Sequence, residues 1–153
     1  MNLQHWVDGH PSVFVAIFPI YLLCLSCLVG ANISFVGGWC SLAKVHRIRV
    51  PFHGAKWGIQ SGRMRWLANY KNVLTLGASQ QGLYLASMFI FRFMHPPLLV
   101  PWSNIKLRRS KGWFFEYVIL TMGHELAIPL RIREELAAKL REAAGNCWPV
   151  EET

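Results

Sequence analysis

The residues of this chain best suited to chemistry are its cations. Arg63-Met-Arg65 and Lys71 lie close together, and Arg108-Arg109-Ser-Lys111 forms a second group. Guanidinium and ammonium groups at such spacings bind phosphate or carboxylate oxygens, Arg through a planar fork and Lys as a point charge. The charge bias behind them is one-sided. Between Gly9 and Phe115 there are twelve Lys and Arg and no Asp or Glu, whereas Glu116 onward holds seven acids and four bases. A net charge of +8 calls for an anionic partner. Nucleic acid is one such partner, but no recognition helix, zinc ligand set or aromatic RNA-binding motif accompanies the charge. An anionic bilayer is another, worth roughly 1 kcal/mol per Lys or Arg held near its surface. Part of the bias is accounted for by solubility and by membrane topology alone.

Catalytic chemistry finds no constellation. The histidines at positions 5, 10, 46, 53, 95 and 124 have no partner at metal-ligand spacing. His124-Glu125 begins like a zinc-protease motif, but no second histidine follows before Pro129. His95, next to Pro96, reads as a turn residue. Cys24-Leu-Ser-Cys27 has CxxC spacing inside an apolar run with no matching His or Cys pair, which argues against zinc or redox use. Cys40, just past that run, is a candidate palmitate acceptor. Neither a phosphate loop nor a nucleophile elbow is present. The expectation is a non-enzymatic protein with no catalytic residue, metal or cofactor.

The elements that position the cations begin with a membrane anchor. No formal charge occurs from Gly9 to Ala43, and Val13 to Ile33 supplies the ~20 apolar residues that a helix needs to cross a bilayer. A signal peptide would want a basic leader, and residues 1–10 contain no Lys or Arg. A buried soluble helix of this length would need a larger protein around it. Asp8 precedes the span while Lys44, Arg47, Arg49 and Lys56 follow it, so the positive-inside rule puts the N-terminus outside and the rest in the cytoplasm. Lys44, Arg47 and Arg49 are the juxtamembrane set that fixes topology and grips the leaflet. The expected division is a leader at 1–11, a transmembrane helix at 12–36, a basic linker at 37–60, a folded domain at 61–145 and a tail at 146–153.

From Ser61 the periodicity alternates, as in an antiparallel sheet. Expected strands are Met64 to Ala68, Val73 to Ala78, Gly82 to Phe91, Leu98 to Trp102, Ile105 to Ser110, Phe114 to Met122 and Leu126 to Leu130, with a first turn at Asn69 to Asn72. Arg131 to Ala144 then has helical period, with Ile132, Leu136 and Leu140 on one face and Gly145 as its stop. The fold class is α+β: a seven-stranded open barrel plugged by this helix, burying Leu74, Leu76, Leu83, Leu85, Val118, Leu120, Ile128 and Leu136. Within Met88 to Pro97, Phe89 and Phe91 are expected in the core, and Phe93 and Met94 are candidates for an interfacial loop.

The order of seven strands and a terminal helix, with Gly82-Leu-Tyr-Leu85 and Pro97-Leu-Leu-Val-Pro-Trp-Ser-Asn-Ile105, resembles the pleckstrin-homology superfamily. The likeness is closest to small bacterial single-span membrane proteins with a PH-like or GRAM-like domain, and covers about Ser61 to Gly145. It departs from phosphoinositide-binding members, whose Lys then Arg-x-Arg pattern crosses the first hairpin; here Arg63-Met-Arg65 precedes the expected turn and only Lys71 lies in it. The family's tryptophan in the terminal helix is also missing, Trp148 lying beyond Gly145. The resemblance implies the fold more than a function; with the charge pattern, the expectation is a membrane-anchored adaptor or assembly factor at the inner membrane. Arg63, Arg65, Lys71, Arg108, Arg109 and Lys111, expected at strand ends and turns, are its candidate contacts to anionic phospholipid headgroups or an acidic partner. The alternative is a protein-binding subunit of a membrane complex that uses the sheet edge or the groove beside the helix.

Overall fold

A computed structural model describes residues 11–65, 67–92 and 94–151. The leader ahead of Pro11, Trp66 and Phe93 lie outside the described residues, and with Phe93 one half of the expected interfacial pair. The first helix, α1 (Pro11–Val36), is apolar all round. Its segment Val15–Val36 has a mean hydropathy of 2.0 and is long and apolar enough to cross a membrane, properties that a signal sequence shares. Its polar side chains turn back on the helix: Ser26 donates to the Leu22 carbonyl at 2.8 Å and Asn32 to that of Leu28 at 2.7 Å. In an apolar solvent this satisfies groups that would otherwise be costly to bury.

Gly37-Gly38 ends the helix, as the sequence suggests. Gly38 has φ 82°, and a Cβ there would sit 2.7 Å from Cδ1 of Ile128, so both backbone and space require glycine. The chain then enters α2 (Trp39–His46), whose Trp39 and Leu42 are completely buried. Residues 37–60, expected as a linker, thus contribute a core helix and most of the first strand.

The sheet comprises β1 (Ala55–Met64), β2 (Ala68–Ser79), β3 (Gly82–Ser87), β4 (Leu98–Val100), β5 (Ile105–Lys111), β6 (Glu116–Met122) and β7 (Ile128–Arg133), followed by α3 (Glu134–Ala144). All pairings are antiparallel, in the order β4-β3-β2-β1-β7-β6-β5, curled into an open half-barrel. Alternation sends Leu74 and Leu76, Leu83 and Leu85, Val118 and Leu120, and Ile128 and Leu130 inward. Leu136, Ala137, Leu140 and Ala144 of α3 complete that core, and all eight expected core residues are buried. Trp148 lies against Trp102 with ring centroids 5.3 Å apart, packing from beyond the helix.

Several boundaries differ from expectation. β1 begins at Ala55, earlier than expected; its first half is largely exposed on both faces and so lacks an alternating signature. β1 ends at Met64 and β2 begins at Ala68, so Asn69 to Asn72 belongs to β2 with Tyr70 turned inward. β3 stops at Ser87, after which Phe89–Phe91 forms a 3-10 turn. Phe89 is consequently 83% exposed rather than core. β7 runs on to Arg133, since Ile132 continues the inward series of Ile128 and Leu130, and the helix starts at Glu134. Both outer strands meet other parts of the chain through single bridges, Arg47 to Leu98 on β4 and Leu107 to Glu151 on β5.

Candidate anion-binding groove

Three arginines converge on the outer face of β1, β7 and β6. In β1, Met64 points into the core and Arg63 therefore points out. In β7, Leu130 and Ile132 point in, which turns Arg131 and Arg133 outward. The register sets Arg63 directly opposite Arg131, and Tyr117 opposite Arg133. With Ser61 and Asn69 these side chains line a shallow groove of about 190 Å³.

The electrostatics of the groove are uncompensated. Among the described residues, Arg63, Arg131 and Arg133 make no ion pair; the carboxylates of Glu134 and Glu151 go instead to Arg109, at 3.9 and 3.4 Å. Aromatic faces hold two of the cations in place. The Arg131 guanidinium lies 3.8 Å from the Tyr117 ring centroid, and that of Arg133 lies 4.7 Å from Phe115. Nε of Arg131 is buried without a hydrogen-bond partner. A planar cation fixed by stacking, with an N–H unsatisfied, is suited to an oxyanion.

Asn69 also borders a second, apolar cleft of about 320 Å³, where Val29 of α1 meets Tyr70, Lys71, Val73, Phe91 and His95. Here the helix is built into the barrel. Ser34 donates to the Met94 carbonyl at 2.8 Å, and the Trp39 indole donates to that of Pro96 at 2.9 Å. The Tyr70 hydroxyl and His95 Nε2 share a hydrogen bond of 3.0 Å, with the Trp39 ring 5.0 Å from the imidazole. Burial lowers the His95 pKa, opposed in part by the Phe91 backbone, and burial followed by the nearby Cys40 raises that of Tyr70. Both groups are held neutral at the joint between helix and sheet.

The structure distributes the sequence-derived candidates widely. Arg63 is in the groove. Arg65 sits in the first turn at φ 48° and donates to the Val36 carbonyl at 3.5 Å, capping α1. Lys71 lies on β2 beside Val29, not in a turn. Arg108, Arg109 and Lys111 occupy the edge strand β5, where Arg109 is ion-paired and Lys111 faces Glu116. Lys44, Arg47 and Arg49 follow one another along α2 and its exit, Arg47 at the bridge to β4. Met94 is half-buried, its carbonyl occupied by Ser34, while Phe89 projects from this loop. Arg131 and Arg133 were not among the candidates. Their signal was the alternation Ile128, Leu130, Ile132, which continues a strand through the residues assigned to the helix start.

No protein-family model, curated protein or solved structure matches the chain.

Proposed function

We propose that this protein is a single-span, membrane-anchored module of PH-like design that holds phosphate-bearing lipid headgroups in the Arg63–Arg131–Arg133 groove, as a non-enzymatic adaptor or assembly factor. The observation that carries this reading is the uncompensated cross-strand pair Arg63 and Arg131, next to Asn69, which borders the cleft containing Val29 of α1. Like charges facing each other across a sheet are destabilising, and an anion between them reverses the sign. The neighbouring helix supplies the reason for that anion to be a headgroup. Ser34, buried against Met94, supports retention of the helix, because cleavage would strip a core contact. The charge asymmetry around α1 supports a cytoplasmic face at the inner membrane.

Strand addition by a protein partner has less support, since the bridges from Arg47 and Glu151 already engage the two outer strands. The test is arginine-specific footprinting of the full chain in nanodiscs. Phosphatidylcholine alone would be compared with mixtures containing phosphatidylglycerol or phosphatidylserine at equal charge. Protection of Arg63, Arg131 and Arg133 by the anionic discs, reversed at high salt, is the expected result. Equal reactivity in neutral and anionic discs would remove the groove as a headgroup site.

A further inference from the structure

The hairpin between β5 and β6 ends in an unusual apex. Gly112 donates its backbone N–H to the Phe115 carbonyl at 2.9 Å, closing a tight loop with Trp113 and Phe114 at its tip. The connection between Lys111 and Glu116 is four residues long and neither Trp113 nor Phe114 has a positive φ, so the turn itself does not call for large apolar side chains. Here Trp113 is 94% exposed and Phe114 is 83% exposed. Their ring centroids lie 6.5 Å apart, and at these exposures core packing does not account for them. The flanks are basic: Arg108 is exposed on β5, Lys111 ends that strand, and Arg133 lies over Phe115. The hairpin's one carboxylate, Glu116, faces Lys111 in the register.

We infer that Trp113 and Phe114 form a wedge that inserts into the interface of the same anionic bilayer that α1 spans, so that the module lies lengthwise on the membrane. This rests on the groove reading above and extends it. Arg133 is the shared element, lining the groove and stacking over Phe115 at the base of the wedge. From Asn69, beside α1, the strip runs through Arg63 and Arg131 to Arg133 and the apex. Along β7, from Ile128 next to Gly38 to Arg133, it extends roughly 17 Å at about 3.3 Å per residue. Trp and Phe are the residues that settle at the headgroup boundary, and the arginines beside them meet the phosphates at that depth. The footprint therefore has a helix at one end, cations along its length and aromatic rings at the other end.

A nitroxide placed by Phe114→Cys tests this, in the full chain with Cys24, Cys27, Cys40 and Cys147 changed to Ala. The chain is reconstituted into vesicles of phosphatidylcholine and phosphatidylglycerol. A second label at Gln80→Cys, in the exposed β2–β3 turn, is the aqueous reference. The wedge predicts that the label at 114 is at least several-fold more accessible to oxygen, relative to a water-soluble nickel chelate, than the label at 80. Aqueous accessibility at 114 equal to that at 80 would overturn it. So would dipolar broadening that grows with protein-to-lipid ratio, which would place the apex against a second copy. Repeating the measurement with Arg63→Gln and Arg131→Gln separates the two readings. Immersion that persists there upholds the wedge while removing the arginines as its organiser, whereas immersion lost only there upholds both. An aqueous label together with headgroup-protected arginines overturns the wedge alone.

Discussion

Arg63 and Arg131 face one another across the β1–β7 pairing, both directed outward and neither ion-paired among the described residues. Cross-strand neighbours of like charge cost roughly 0.2–1 kcal/mol relative to a neutral pair. A fold could relieve that cost with a single carboxylate, yet Glu134 and Glu151 are committed to Arg109. Under the proposed function, an anion between the two guanidinium groups relieves that cost.

Two effects of opposite sign follow from Arg63→Gln. In neutral detergent the variant is expected to melt at or slightly above the parent, by a few tenths of a kcal/mol, because repulsion is relieved. On vesicles containing phosphatidylglycerol its arginine footprint at 131 and 133 is expected to weaken. Arg131→Gln is a less clean probe, since it also removes the stack on Tyr117, a contact worth roughly 0.5–1 kcal/mol at an exposed site. A loss of stability for Arg63→Gln would assign these side chains a packing role.

The joint between helix and barrel should be sensitive to acid. Burial lowers the His95 pKa below the usual 6.5, so the fold favours the neutral imidazole. The unfolded chain takes up its proton first on acidification. Stability is thus full above about pH 6.5 and is lost as pH falls toward the lower folded value. His46, also lowered by burial, acts in the same direction. Melting curves at pH 7.5 and 5.5 should show a drop that His95→Gln diminishes. An unchanged drop in that variant would assign the acid sensitivity to His46 or to other groups.

The terminal helix closes the barrel through a narrow stripe. Leu140 is completely buried, and truncating a buried leucine costs ~2–5 kcal/mol. Leu140→Ala should accordingly lower the melting temperature sharply, while Leu126→Ala, in the more open β6–β7 turn, should have a much smaller effect. Equal melting temperatures for the two variants would mean that α3 is peripheral to the cooperative unit.

How much was legible depended on whether a segment has one wet face and one dry face. β2, β5 and β6 announce themselves through alternation, and inward leucines such as Leu74, Leu76 and Leu120 are buried as expected, whereas β3 is buried on both faces. β1 gives no such signal, because most of its first half is exposed on both faces. Trp39 and Leu42 fell in the stretch expected as a linker, and only the turn at Gly38 reveals that they fold back into the core. The groove was half-visible: Arg63 was singled out, but its partners were read as the start of a helix. Cross-strand neighbours are set by register, and the register between β1 and β7 joins residues too far apart in the chain for spacing to indicate. Phe89 was misassigned because alternation in sequence persists after the strand has become a 3-10 turn, whereas Phe91 stays half-buried in the cleft beside Val29.

Glycine positions offer a last test, in which two identical substitutions should differ in sign. Gly82 opens β3 opposite Ser79, and a Cβ there would collide with the Val100 carbonyl oxygen and press on the Cα of Pro101. Backbone atoms cannot move aside as a flexible side chain can, so Gly82→Ala must push β4 away from β3. Overpacking of this kind costs roughly 1–3 kcal/mol, and here it should also loosen the bond from the Trp102 indole to the Ser79 carbonyl, now 2.7 Å. Gly58, in the exposed part of β1, is the contrast. The nearest atom to its Cβ is Thr75 Oγ1 at 3.9 Å, an ordinary contact, and its φ is not positive. Gly58→Ala should therefore stabilise by roughly 0.4–1 kcal/mol through reduced freedom of the unfolded chain. Thermal melts of the two variants check this directly, and a tolerated Gly82→Ala would show that β4 sits less tightly on β3 than the present register requires.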